Sequence, residues 1–142
     1  MDNLSIFVDC LKEHMAQNGL SINKFAQKTG VAERAVSKWI CGTYFPSVDC
    51  VKKVAVELDC STDYLFGMSE RKMSCPSLSG KAFIDKFNKA CADKKVTAYK
   101  VAKECGFGES MISKWKKGKS PKTETLIKLA NYFGCSLDYF IF

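Results

Sequence analysis

The sequence predicts an all-α protein built from two tandem five-helix units. Three observations carry that prediction: apolar residues recur at helical spacing, strand-like alternation is absent, and the second half of the chain repeats the first. The chain has 142 residues, 46% hydrophobic and 26% charged, which suffices to bury a core and leaves room for one domain or two small ones. With only 3 Pro and 9 Gly, the composition favours helices joined by short connections.

The repeat fixes the domain count. Residues 25–42 read FAQKTGVAERAVSKWICG and residues 101–118 read VAKECGFGESMISKWKKG, so the two superpose at an offset of 76 without a gap. Beyond them the offset becomes 75, where Pro46 meets Pro121, Ala55 meets Ala130, and CSTDYLF from Cys60 meets CSLDYFI from Cys135. Upstream, Phe7, Asp9 and Ala16 meet Phe83, Asp85 and Ala92. The boundaries that follow are a first domain over 1–66, a Ser-rich linker over 67–80 and a second domain over 81–142.

Each element has a local reason. Leu4, Phe7, Val8, Leu11 and Met15 line one face of a first helix that Gly19 ends. Ser21 is an N-cap for a second helix closed by Gly30, the residue type suited to a left-handed C-cap. A third helix runs over 32–40, and Pro46 and Ser47 start a fourth that buries Val51, Val54, Ala55 and Leu58. Ser61 caps a short fifth ending near Phe66. The second copy repeats this plan over 81–93, 97–105, 109–117, 123–133 and 136–141.

Several function classes are excluded at this level. The longest uncharged stretch, residues 39–48, falls far short of the ~18–20 residues of a membrane span. Asp2, Asp9, Lys12 and Glu13 interrupt the start, so no signal peptide is expected and the protein reads as cytoplasmic. The eight cysteines lie at least nine residues apart, and His14 is the only histidine, so no zinc-type ligand spacing exists. Most of the cysteines read as small buried hydrophobes, with Cys75 the most exposed thiol. His14 reads as a surface helix residue, no nucleophile sits at recognisable spacing from a base, and neither enzymatic activity nor a cofactor or small-molecule ligand is expected.

The second and third helices of each unit carry the informative spacing. Ala26, Gly30 and Val36 fall at positions 5, 9 and 15 of residues 22–41, and Ala102, Gly106 and Ile112 do so in residues 98–117. These are a small residue where two helices cross, a glycine at the tight turn and a branched residue anchoring the second helix of the pair. Trp39 and Trp115, three residues after Val36 and Ile112, are placed in the core by phase.

With Ser-Lys-Trp at 37–39 and 113–115, Gly42 and Gly118, and the closing Ser-Thr-Asp-Tyr-Leu and Ser-Leu-Asp-Tyr-Phe, the chain resembles the Cro/repressor-type (XRE-like) helix-turn-helix regulators of phage and bacteria. The resemblance covers nearly the whole chain in two copies and implies two lambda-repressor-like DNA-binding domains. It also implies that the third helix of each unit enters the major groove of double-stranded DNA. Carried over by position, the contacting residues are Glu33, Arg34, Ser37 and Lys38 in the first unit, and Glu109, Ser110, Ser113 and Lys114 in the second. The start of the second helix, which the family also uses, is Ile22 or Ala98 here, and neither side chain can hydrogen-bond. Glu33 and Glu109 fit two roles: accepting from a cytosine amino group, and a favourable charge at a helix N-terminus.

Charge separates the copies. Residues 1–70 hold 7 Lys/Arg against 9 Asp/Glu, net −2, whereas residues 71–142 hold 15 against 6, net +9. Lys114, Lys116, Lys117, Lys119 and Lys122 cluster on and after the third helix of the second unit, which makes it the primary DNA-binding candidate. At the corresponding place the first unit has Tyr44 and Phe45; with Tyr64 and Phe66 they form a candidate interface for a homodimer, an intramolecular pseudo-dimer or another partner, the alternative being that these rings complete the unit's own core. The sequence therefore predicts a DNA-binding transcription regulator. An adaptor or antitoxin-like module with secondary DNA binding is the competing reading.

Overall fold

The computed structural model describes residues 2–70, 73 and 82–142. The chain divides into two units, Met1–Pro76 and Ser77–Phe142. The first contains α1 (Asn3–Asn18), α2 (Ile22–Thr29), α3 (Glu33–Ile40), α4 (Val48–Leu58) and α5 (Thr62–Leu65). The second contains α6 (Phe83–Lys94), α7 (Ala98–Cys105), α8 (Glu109–Lys116), α9 (Thr123–Phe133) and α10 (Leu137–Ile141). No strand occurs among the described residues.

Local sequence sets most of these boundaries. The hydroxyls of Ser21, Ser47, Ser61 and Thr97 accept from the backbone N–H three residues on, each satisfying a donor that the first helical turn leaves orphaned. Gly19, Gly30, Gly106 and Gly134 close their helices in the left-handed conformation. Two further helices close in the left-handed conformation without glycine: Asp59 and Lys95 adopt φ of 49° and 61° to cap α4 and α6.

The cores follow the helical phase. Phe7 and Leu11 of α1, Phe25 of α2, Val36 of α3, Val51 and Val54 of α4 and Leu65 are fully buried. Phe87, Val101, Leu126, Leu129 and Leu137 do the same in the second unit. Trp39 and Trp115 are each 3% exposed, as their phase predicts. Trp115 is ringed edge-on by Phe83, Phe87 and Phe107 at 5.3–5.4 Å.

Four expectations are corrected. Phe66, an interface candidate, is fully buried; its ring stacks on Phe7 at 5.0 Å and faces Phe45 at 6.2 Å, completing the first unit's core. Met15 is half-buried rather than interior. His14 is also half-buried, edge-on to Phe25 at 6.2 Å with Nε2 3.7 Å from Glu57, because α1 turns that face toward α2 and α4. Of the described cysteines only Cys60 and Cys91 are buried, while Cys10, Cys50, Cys105 and Cys135 are half-buried and Cys41 is exposed; Cys75 lies outside the described residues.

The first unit also continues beyond α5. The Met68 and Ser69 N–H groups donate to the Asp63 carbonyl at 2.7 and 3.2 Å, and the Ser61 N–H donates to the Met73 carbonyl at 2.9 Å. The start of the segment read as linker is thus bonded to α5, and residues 74–80 lie outside the described residues. Gly67 makes this turn at φ +75°, against Ile6. The Ile6 δ-methyl can rotate aside, so backbone strain dominates, and Gly67→Ala is expected to lower the first unit's stability by about 1–2 kcal/mol in thermal denaturation. An unchanged melting temperature would rule out the strained turn.

Candidate nucleic-acid interface

In both units two short helices meet at a three-residue connection, and the geometry follows from the residues in it. Gly30 at φ +79° donates its N–H to the Ala26 carbonyl at 2.9 Å, and Gly106 at φ +80° repeats this with Ala102 at 3.0 Å. Ala26 and Ala102 are buried, so nothing bulky holds the helices apart. Val36 and Ile112 anchor α3 and α8 from below. The opposite faces of α3 and α8 are thereby fixed toward solvent.

On α8 that face is basic. Glu109, Ser110, Ser113, Lys114 and Lys116 are exposed, and so are Lys117, Lys119 and Lys122 beyond the helix. The loop is ordered by its backbone: Gly118 at φ +96° donates to the Trp115 carbonyl at 3.0 Å, and the Lys117 and Lys119 N–H groups both donate to the Lys114 carbonyl at 3.1 Å. The turn therefore folds back under the C-terminus of α8 and gathers its lysines at the negative end of the helix dipole.

A helix-turn-helix family model matches residues 11–65 and, separately, residues 89–140. The chain belongs to the XRE-type helix-turn-helix family. Comparison with curated proteins and with solved structures finds no match. Helix-turn-helix domains of this family are DNA-binding and typical of transcription regulators. No described helix is long and apolar enough to cross a membrane.

The XRE-type motif of the first unit is differently dressed. Glu33, Arg34 and Lys38 are exposed on α3 and Ser37 is half-buried. The Lys38 ammonium lies over the Tyr44 ring, 5.4 Å from its centroid. Tyr44 is 57% exposed, whereas Phe45 is half-buried against Phe66. Tyr64 is half-buried, and burial pushes its hydroxyl above the ordinary tyrosine range. Of the four aromatic residues grouped from sequence, Tyr44 alone presents a largely free ring.

Two residues that the sequence reading did not select also reach this face. The Asn23 amide on α2 donates to Glu33 Oε2 at 3.1 Å, and Gln27, one turn later, donates to Asn23 Oδ1 at 3.1 Å. The i,i+4 pairing of the two amides is legible in the sequence. Their link to α3 depends on how the two helices cross.

Proposed function

We propose that the protein is a sequence-specific double-stranded DNA-binding transcription regulator. In this reading α8 enters the major groove, and the basic second domain, residues 81–142, supplies most of the affinity. The observation that carries it is the exposed lysine cluster on and after the second helix of a helix-turn-helix. Lysines there neutralise phosphates and release condensed counterions, the main sequence-independent source of protein–DNA affinity. Lys114, one turn into α8, is placed to touch base edges, whereas Lys119, in the loop, is placed for the backbone. Arg34, Ser37 and Lys38 are the corresponding contacts of the acidic first domain, residues 1–66.

Fluorescence anisotropy of labelled duplexes at two salt concentrations tests this assignment. Lys114→Ala is expected to weaken specific binding by about 1–3 kcal/mol and blur base preference. Lys119→Ala is expected to weaken all duplexes alike and to lower the salt slope by about 1. Should both variants bind like the parent, α8 is not the groove-entering helix.

One observation favours a second reading. The exposed ring of Tyr44 beside α3 suits a protein contact, as an adaptor or antitoxin-like module would need. A stoichiometric protein partner lost on Tyr44→Ala, together with weak DNA binding, would support it.

A further inference from the structure

We infer that the first unit carries a base-reading device that the second lacks: Asn23, held by Gln27, positions the Glu33 carboxylate to accept from a cytosine amino group. The inference rests on the DNA-reading function proposed above and adds a specificity-positioning residue to it.

The geometry is a relay across the helix-turn-helix. A primary amide has one acceptor oxygen and one donor nitrogen, and Gln27 occupies the Asn23 oxygen at 3.1 Å. The Asn23 nitrogen is thereby turned to α3, where it donates to Glu33 Oε2 at 3.1 Å. Asn23, Gln27 and Glu33 are all exposed, so these bonds add little to folding. Their effect is orientational: a surface glutamate samples many rotamers, and a bond at Oε2 biases it toward one orientation before any ligand arrives.

Glu33 Oε1 is left as an acceptor at the start of a groove-entering helix. In the major groove an acceptor-only group matches the cytosine N4 amino group and is repelled by the acceptors of guanine and thymine; adenine offers a donor flanked by an acceptor. A carboxylate held toward this orientation therefore favours cytosine.

The second unit provides the internal comparison. The repeat places Tyr99, Lys103 and Glu109 where the first unit has Asn23, Gln27 and Glu33. Tyr99 is 60% exposed, and the Glu109 side chain has no hydrogen bond or ion pair to the described residues. A helix-dipole role is open to both glutamates alike and does not account for the relay on one of them. Charge agrees with a division of labour. The half with net charge +9 supplies phosphate affinity, and a unit tethered to it contributes preference at little cost in its own affinity.

Selection by the full chain from a randomised duplex pool, followed by anisotropy on single-position variants of the selected site, tests the relay. Cytosine is expected at one base pair read by the first unit. Glu33→Gln should move that preference toward adenine, whose N6 and N7 a glutamine amide pairs with. Asn23→Ala should reduce discrimination at the same pair about 5–10-fold with an unchanged salt slope, and Gln27→Ala should act in the same direction more weakly. In a Glu33→Ala background, Asn23→Ala should change nothing, which a general structural role for Asn23 would not produce. Circular dichroism matching the parent confirms that the variants are folded. Discrimination that survives Asn23→Ala, or an Asn23 effect that persists without Glu33, overturns the relay while the DNA-reading function stands. Absence of binding to any duplex at either salt concentration overturns both.

Discussion

Trp115→Ala is expected to remove most of the stability of the second unit. The indole is 3% exposed and meets the edges or faces of three phenylalanines at 5.3–5.4 Å, from α6 and from the turn before α8. Truncating a buried tryptophan to alanine costs about 3–5 kcal/mol through lost burial and the cavity left behind. A unit of this size holds about 3–9 kcal/mol in total, at ~0.05–0.15 kcal/mol per residue, so the loss is comparable to the whole. Thermal denaturation followed by circular dichroism, with amide spectra reporting on residues of α6–α10, measures it. Trp115→Phe, which retains an aromatic ring, should recover more than half of the lost stability. A fully folded alanine variant would show that the aromatic cluster is dispensable. The consequence reaches the proposed interface, because Trp115 sits between Lys114 and Lys116 and is what holds their helix against the core.

Replacing Lys116, Lys117 and Lys119 together by glutamine is expected to cut DNA affinity about 10²–10³-fold near 0.1 M salt. Each phosphate neutralised contributes ~0.9 to the slope of log affinity against log salt, so three lost contacts lower that slope by about 2.7. These side chains are exposed, so the fold should be unaffected. The control removes the same charge elsewhere, with Lys89, Lys95 and Lys128 changed to glutamine on α6, its C-cap and α9. A comparable loss from both triple variants would mean that the unit attracts DNA only through its net charge. A loss confined to the first places the phosphate contacts on α8 and its loop.

The parts of this architecture that were legible in the sequence are those set by neighbours along the chain. Ser21, Ser47 and Thr97 announce helix starts because the cap bond spans only three residues, and Gly30 and Gly106 announce ends because the left-handed conformation suits glycine. The duplication added a check that single-copy reasoning lacks, since the Ala-Gly-branched spacing had to be satisfied twice. The Asp59 and Lys95 caps were not legible, because the left-handed closing residue is most often glycine and a lysine there gives no such signal. The position of Phe66 was ambiguous for a related reason. Its burial is set by a stack on Phe7, 59 positions earlier in the chain, which periodicity within a four-residue helix does not report. The Asn23–Glu33 bond depends on rotamers at a helix crossing, and only coordinates supply those.

The duplication of the motif within one polypeptide has an evolutionary consequence. In a protein assembled from two identical subunits, any mutation of the groove-entering helix appears in both copies at once, so the target must change in both halves together. Here α3 reads ERAVSKWI and α8 reads ESMISKWK, encoded by separate stretches of one gene. A single nucleotide change therefore alters one helix and leaves its sibling intact. On the proposed reading, with both helices contacting bases, target preference in such a chain drifts one half at a time, through intermediates that keep half of their former recognition.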